Sequence, residues 1–173
     1  MPTITRQPFC DKLSPAEVAA TGGDKKPAKL VINRKPGDKF SILDTQQVEV
    51  NWYGYWESEQ TGYDLRIAKK ATTAAEIETR TRAVETSSSK GPGTCTTLDV
   101  TGFGDVTYGL SCSRKEGSDK GTFYSGFAKA SYLGLFGDTA VYCQVSSADA
   151  ANITRVEAPV ADFCELSLEA ISQ

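Results

Sequence analysis

The sequence contains no histidine in its 173 residues, and this absence removes much of the usual catalytic and metal-binding chemistry. Without an imidazole there is no Ser-His-Asp or Cys-His nucleophile pair, no histidine general base and no ordinary zinc site. The acidic pairs Glu57/Glu59 and Glu76/Glu78 fall in a predicted turn and on a predicted polar helix, where carboxylates are solvated rather than paired for glycoside hydrolysis. We therefore expect no catalytic residues, no metal and no cofactor, and we predict that the protein is not an enzyme.

Five cysteines carry the remaining chemistry, and no two of them form a C-x-x-C pair, which excludes a zinc knuckle and a thioredoxin-type motif. Cys95 and Cys112 lie symmetrically about Gly102 and Gly104, which supply the backbone freedom of a turn. If the flanking segments pair as a hairpin, the two cysteines face each other and form a disulfide. The alternative is a flexible glycine-rich loop without a hairpin.

The other three cysteines lie near the two ends of the chain and in a predicted late strand. Cys10 and Cys164 are close to opposite ends of the sequence, and because domain termini are often close in space, we predict a disulfide between them. Cys143 alternates with Val141 and Val145 on an apolar strand face, so we expect it to be a free, buried thiol that acts as a small hydrophobic residue.

The cysteines and the N-terminal stretch favour an oxidising location outside the cytoplasm. Residues 1–8 are predicted to be a linker or a remnant, and Met1, the only methionine, leads directly into this stretch, as in a chain whose export signal has been removed. Residues 9–173 are long enough for one domain with its own core. Because no apolar run approaches 18 residues, we expect no membrane span.

The composition narrows the class of partner. The chain has 39% hydrophobic and 24% charged residues, which is ordinary for a globular protein. Its net charge of −3 and isoelectric point near 5.1 argue against nucleic acid as the main partner.

The local patterns predict an α+β fold: an antiparallel meander sheet with N-terminal, central and C-terminal helices packed on it. Capping signals open helices at Ser14 and at Thr73, and amphipathic spacing predicts a third helix over 159–171. Residues 86–93 are predicted to be a flexible loop. Alternation of apolar and polar residues predicts strands at 30–32, 40–43, 46–56, 63–69, 106–114, 122–135 and 138–146.

Aromatic side chains are the candidates for recognition. Tyr53, Tyr55 and Tyr63 lie on one predicted hairpin and are expected to share a sheet surface, where rings suit sugar or peptide binding. The alternative is that a helix covers them or that they only strengthen strand pairing. Phe103 and Phe136 lie at two predicted turn tips and form an apolar contact surface if both project; the alternative for Phe103 is that it folds back onto the core.

Three short motifs carry a resemblance to a known family. Residues 8–18 (PFCDKLSPAEV) are similar to a C-x-L-L-x-x-x-E-V start, residues 100–108 (VTGFGDVTY) are similar to a G-L-G-D-x-A-Y turn, and residues 143–145 (CQV) end a late strand before a terminal helix. In this order the motifs resemble a broad family of small actinobacterial cell-envelope lipoproteins and sensor-kinase ectodomains with a PsbP-like α/β sandwich. Asn51 precedes Trp52 where members usually have a cysteine, so a different disulfide pattern is expected.

The resemblance implies an extracytoplasmic domain, secreted or anchored at the cell membrane, without catalytic residues. Any lipid anchor is expected upstream of residue 1, because no lipobox precedes Cys10. We expect a non-enzymatic binding or sensing domain of a cell-envelope protein, whose partner is an envelope protein or a small ligand. The alternative is a secreted protein-interaction factor, an inhibitor or assembly partner, that acts through its apolar hairpin tips.

Overall fold

A computed structural model of the chain shows a seven-stranded antiparallel sheet with helices on both of its faces. The structure describes residues 2–7, 9–23, 29–33, 47–56, 59–68, 70–89 and 93–173, of which only the backbone is described at 10, 29–33, 47–56, 59, 60, 85 and 87–89. No helix in these ranges is long and apolar enough to cross a lipid bilayer.

The sheet takes its strands in the order β1-β2-β3-β9-β8-β5-β4, and every neighbouring pair is antiparallel. A separate two-stranded ribbon, β6 and β7, connects β5 to β8. The strands are β1 (Lys29–Asn33), β2 (Gln47–Trp56), β3 (Glu59–Ala68), β4 (Gly93–Leu98), β5 (Val106–Arg114), β6 (Gly117–Asp119), β7 (Thr122–Tyr124), β8 (Phe127–Phe136) and β9 (Thr139–Ser147). The helices are α1 (Pro15–Thr21), α2 (Ala74–Ser89) and α3 (Ile153–Ile171), with short 3-10 turns at Cys10–Lys12 and Ala150–Asn152.

The predicted α+β class is confirmed, with differences at several boundaries. The predicted strand 122–135 is two strands, β7 and β8, and helix α2 continues through residues 86–89, which were predicted to be loop. The predicted strand 40–43 lies outside the described residues.

Helix α2 begins at a capping box, as its sequence predicts. The Thr73 backbone N–H donates to Glu76 Oε2 at 2.7 Å, and the Glu76 N–H donates back to Thr73 Oγ1 at 3.3 Å. These hydrogen bonds, that to the Thr73 backbone first, lower the pKa of the Glu76 carboxyl. Ser14 caps α1 by accepting from the Glu17 N–H at 3.5 Å.

Helix α3 is longer than the predicted 159–171, because Pro159 lies inside it rather than at its first turn. Its buried stripe already begins at Val156, four residues before Val160, so tertiary packing outweighs the backbone hydrogen bond that proline removes. The stripe faces the apolar side of β3, β9 and β8, and Phe163 packs on Tyr63 with ring centroids 5.4 Å apart.

The turn between β4 and β5 folds back onto the sheet. Gly102 and Gly104 have positive φ angles of 80° and 93°, and Phe103 between them is only 4% exposed. Phe103 lies directly over Gly134, where any side chain would collide with it, and packs edge-on against Phe136 at 5.4 Å. The alternative for Phe103, burial in the core, is therefore the one that the structure adopts.

The N-terminal segment packs on the domain, in contrast to the predicted linker 1–8. Ile4 is 6% exposed and forms a β-bridge with Ser172, and the Thr5 N–H donates to the Ile171 carbonyl at 2.8 Å. The polar composition of the segment hides this docking, because one buried isoleucine and backbone hydrogen bonds are enough to hold it.

The described part of the chain contains two disulfides. Cys95 and Cys112 are register partners on β4 and β5 and are bonded, as the symmetry of the hairpin predicts. Cys143 on β9 is bonded to Cys164 on α3, so the predicted Cys10–Cys164 disulfide and the predicted free Cys143 thiol are both wrong. The reason is that α3 packs directly on β9, which brings the two Cα atoms to 5.7 Å.

Tryptic mapping without reduction tests this pairing. We expect peptide 130–155, which holds Cys143, to be linked to peptide 156–173, which holds Cys164. A link between 156–173 and 7–12, the peptide of Cys10, contradicts the pairing. A Cys10→Ser variant is the control and should keep the 130–155/156–173 link.

Replacing Cys143 and Cys164 together by alanine should lower the free energy of unfolding by about 3 kcal/mol, measured by urea denaturation, because the bond closes a loop of moderate length.

A candidate binding groove on the α2 face

The two faces of the sheet differ in how completely they are covered. The face toward α3 is apolar and closed, whereas the opposite face, here called the α2 face, is covered over only part of its area. Ile77 of α2 is fully buried there in a small cluster with Ala68, Leu133, Leu135, Ala140 and Tyr142. Within the part of the chain that the structure describes, no segment covers the α2 face next to this cluster, over β3, β9 and β8.

An open groove of about 400 Å³ lies on this uncovered area. A cross-strand row of register partners, Gly62 on β3, Ser146 on β9 and Lys129 on β8, forms its floor. Gly62 and Ser146 have small side chains, which is why the floor is recessed beside the long lysine. The described residues that line it are Gly62, Phe127, Lys129, Gln144, Ser146, Ser147 and Ala148.

Lys129 also lines a small, mostly apolar cavity of about 20 Å³ between the sheet and α2, together with Thr81, Tyr108 and Tyr142. Lys129 therefore lies between the space under the helix and the open groove. Its side chain is partly buried, and its ammonium lies 5.2 Å from the centre of the Phe127 ring.

The charges around Lys129 are mostly of the same sign. Burial lowers the pKa of the Lys129 ammonium, and the nearby charges of Arg66 and Arg114 lower it further. Among the described residues, no carboxylate lies at ion-pair distance from Lys129. Asp64 is already engaged by Arg66, whose Nε donates to Asp64 Oδ1 at 3.1 Å and whose Nη2 is in close contact with Asp64 Oδ2.

Tyr142 connects this ion pair to the groove. The Arg66 guanidinium lies 5.4 Å from the centre of its ring, and the Tyr142 hydroxyl donates to Gln144 Oε1 at 2.6 Å. Burial, and then the charge of Asp64, raise the pKa of the Tyr142 phenol, so the hydroxyl is a neutral donor at physiological pH. The hydrogen bond orients the Gln144 amide within the groove lining.

Arg114, the other cation near Lys129, packs against two aromatic rings. The Arg114 guanidinium lies 4.9 Å from the centre of the Phe127 ring and 5.4 Å from that of Tyr124, and its Nε donates to the Ser125 carbonyl at 2.9 Å. Tyr124, Arg114, Phe127 and Lys129 thus form an alternating series of rings and cations. Next to it on β7, Phe123 is 68% exposed.

A second open groove, of about 460 Å³, borders the N-terminal segment. Its arginine, Arg6, already donates to Asp138 Oδ1 at 2.7 Å and to Thr139 Oγ1 at 3.0 Å. This pairing lowers the pKa of the Asp138 carboxyl. At this groove Arg6 is paired with a carboxylate, although its buried Nε has no hydrogen-bond partner among the described residues. Lys129 has no carboxylate at ion-pair distance among the described residues, so the Lys129 groove is the stronger candidate for a ligand site.

The predicted aromatic site is not assembled. Tyr63 is fully buried under α3 and pairs in register with Trp52, whereas Tyr53 and Tyr55 occupy the alternating register positions of β2, and their side chains lie outside the described residues. Phe136, like Phe103, is buried, at 5% exposure, so these two tips form no contact surface. Tyr63 is buried because its face of β3 also carries Leu65 and Ile67, against which the stripe of α3 packs.

Sequence reasoning missed the groove residues, although one signal for them is present. Lys129 is a charged residue between Ala128 and Ala130 in the apolar/polar alternation of β8, a strand that lies inside the sheet. A lysine on an interior strand is unusual and marks either a solvated face or a site. Gln144 and Ser146 give a weaker form of the same signal on β9.

Comparison with known proteins gives little further guidance. No protein-family model matches the chain, and no curated protein matches its sequence. Among solved structures, LpqN, involved in cell envelope biogenesis of Mycobacterium tuberculosis, is similar over 82% of this chain and 82% of its own, with a TM-score of 0.35 and 10% sequence identity. A similarity this low assigns neither a fold family nor an activity.

Burial and two nearby cations disfavour the charge of Lys129, so we predict that the protein becomes more stable when this charge is removed. A Lys129→Met variant should unfold at a higher temperature at pH 7, because methionine fills a similar space without a charge to desolvate. A gain of 1 kcal/mol corresponds to roughly 2–4 °C in a domain of this size. The exposed Lys115→Met variant is the control and should leave the melting temperature unchanged.

The same variant has a defined pH dependence. Folding lowers the pKa of the Lys129 ammonium, so the folded state carries its full penalty below this lowered pKa and loses it as the pH rises toward the ordinary lysine value of 10.5. The difference in melting temperature between wild type and Lys129→Met should therefore shrink as the pH rises toward 10.5. An equal or lower melting temperature of the variant at pH 7 contradicts the account of Lys129 given above.

Proposed function

We propose that the protein is a non-enzymatic, extracytoplasmic binding domain of a cell-envelope protein, and that it binds a small ligand in the groove beside Lys129. The observation that carries the proposal is a charged side chain at the groove wall that is partly buried, lies beside an aromatic ring, and has no carboxylate at ion-pair distance among the described residues. Groups kept in an unfavourable environment within a cleft are typical of functional sites.

The location is supported by the cysteine chemistry. Two disulfides are present, and such bonds persist outside the reducing cytosol. One of them, Cys95–Cys112, lies directly beside the groove, since Cys112 is the register partner of Lys129. The motifs shared with small envelope lipoproteins agree with such a location.

The lining of the groove favours an amphipathic ligand. Phe127, Gly62 and Ala148 offer apolar surface, while Lys129, Gln144 and Ser146 offer polar groups that fix orientation. The volume of the groove, about 400 Å³, lies within the range of small-molecule sites.

A titration with four octyl compounds tests the proposal: octanoate, octyl phosphate, octyl glucoside and octyltrimethylammonium. With ¹⁵N-labelled protein, we expect saturable amide shifts at 127–129 and 144–148 with at least one of them. A Ser146→Trp substitution fills the groove floor and should weaken this binding at least tenfold. Thr94→Trp adds the same ring at an exposed position of the edge strand β4 and should leave binding unchanged.

The contrary results are specific. The proposal is wrong if none of the four compounds gives saturable shifts in the groove of the folded protein. It is equally wrong if Ser146→Trp, shown to be folded by its amide spectrum, binds them as well as wild type does.

A further inference from the structure

The groove lining is rich in hydrogen-bond donors, and this property says which ligand it suits. The Lys129 ammonium has three N–H donors and no acceptor capacity. The Tyr142 hydroxyl occupies Gln144 Oε1, so the Gln144 amide nitrogen keeps its donors for the groove. The Ser146 hydroxyl donates to the Gly62 carbonyl over 3.5 Å, which is longer than an ordinary O–H···O hydrogen bond, so an oxyanion in the groove can compete for this donor.

The local charge agrees with this donor pattern. Arg66 and Arg114 lie close enough to Lys129 to disfavour its charge, and Asp64, a buried carboxylate beside them, is bound by Arg66. Among the side chains that the structure describes here, positive charge is therefore in excess, although the whole chain has a net charge of −3. A recessed positive surface concentrates field lines and attracts anions.

Phe127 lies between Lys129 and Arg114 and contacts both. Its ring lies between the Arg114 guanidinium at 4.9 Å and the Lys129 ammonium at 5.2 Å. The attraction between the ring and the Lys129 ammonium keeps the ammonium at the groove, so that it does not turn away into bulk water. Phe127 is thus a positioning residue, and Lys129 is the group that meets the ligand.

From these contacts we infer that the groove selects an anionic amphiphile, whose carboxylate or phosphate group is bound by Lys129 with Gln144 and Ser146. An oxyanion offers acceptors only and matches a site that offers donors. The anion also supplies the counter-charge that Lys129 lacks among the described residues. The apolar part of the ligand lies along Phe127 and Ala148. This inference rests on the proposed binding function and adds the charge class of the ligand.

Dissociation constants for the same four octyl compounds test the inference, because their tails are identical and only the headgroup charge and chemistry differ. We expect octanoate or octyl phosphate to bind at least tenfold more tightly than octyl glucoside, and octyltrimethylammonium to bind most weakly. Of the two anions, the tighter binder identifies whether the site suits a carboxylate or a phosphate.

Variants at Lys129 assign the effect to the side chain. Lys129→Gln should abolish the preference for the anions while leaving the affinity for octyl glucoside within about twofold. Lys129→Arg should restore most of it, because a guanidinium supplies charge and donors. Lys115→Gln removes an exposed lysine outside the groove lining and should change neither affinity.

The outcomes separate the two levels of the account. If octyl glucoside binds in the groove as tightly as both anions, or if Lys129→Gln keeps the preference, the anion selectivity is wrong and the binding function stands. If no compound binds, the binding function itself fails. Because removing the charge is expected to stabilise the fold, loss of binding in Lys129→Gln will not reflect unfolding, and its amide spectrum verifies this.

Discussion

The packing of α3 on the central strands determines the rest of the structure. The stripe Val156, Val160, Phe163 and Ile171 covers the apolar residues of β3, β9 and β8, and the Cys143–Cys164 disulfide fixes this contact covalently. Because side chains alternate along each strand, burying one face under α3 forces Asp64, Lys129, Gln144 and Ser146 onto the other. The polar face is thus a direct consequence of the apolar one.

The groove lies where the second helix does not cover that face. Ile77 is the fully buried apolar side chain of α2 among its described residues, and the face beyond it holds the charges that a closed core would exclude. Asp64 and Arg66 form an ion pair there. Lys129 instead contacts an aromatic ring, and its charge is repelled by the nearby Arg66 and Arg114. Burial and the neighbouring cations therefore disfavour the charged form of Lys129, which the proposed anionic ligand would stabilise.

Local signals allowed much of the fold to be predicted from the sequence. Capping boxes fixed the starts of α1 and α2, and the symmetry of the cysteines about Gly102 and Gly104 identified the first disulfide. Features that depend on tertiary contact were missed. Amphipathic spacing placed the start of the third helix at Pro159, whereas packing extends it to Ile153. The partner of Cys164 likewise depends on how α3 meets β9. The aromatic candidates failed for a related reason: Tyr63, Phe103 and Phe136 are large apolar surfaces, and the fold uses them as core. The groove depends on what α2 leaves uncovered, which no local pattern of the chain contains.

The titration of the Lys129 side chain, followed by NMR of its ¹³Cε and ¹⁵Nζ nuclei, tests the central claim most directly. The account predicts a pKa below the ordinary lysine value of 10.5 in the free protein, and an increase when octyl phosphate occupies the groove, because an anion stabilises the charged ammonium. A pKa at or above 10.5 in the free protein would contradict the claim that Lys129 has a disfavoured charge without a carboxylate partner among the described residues. A pKa that does not change under saturating octyl phosphate would contradict the claim that Lys129 meets an anionic ligand.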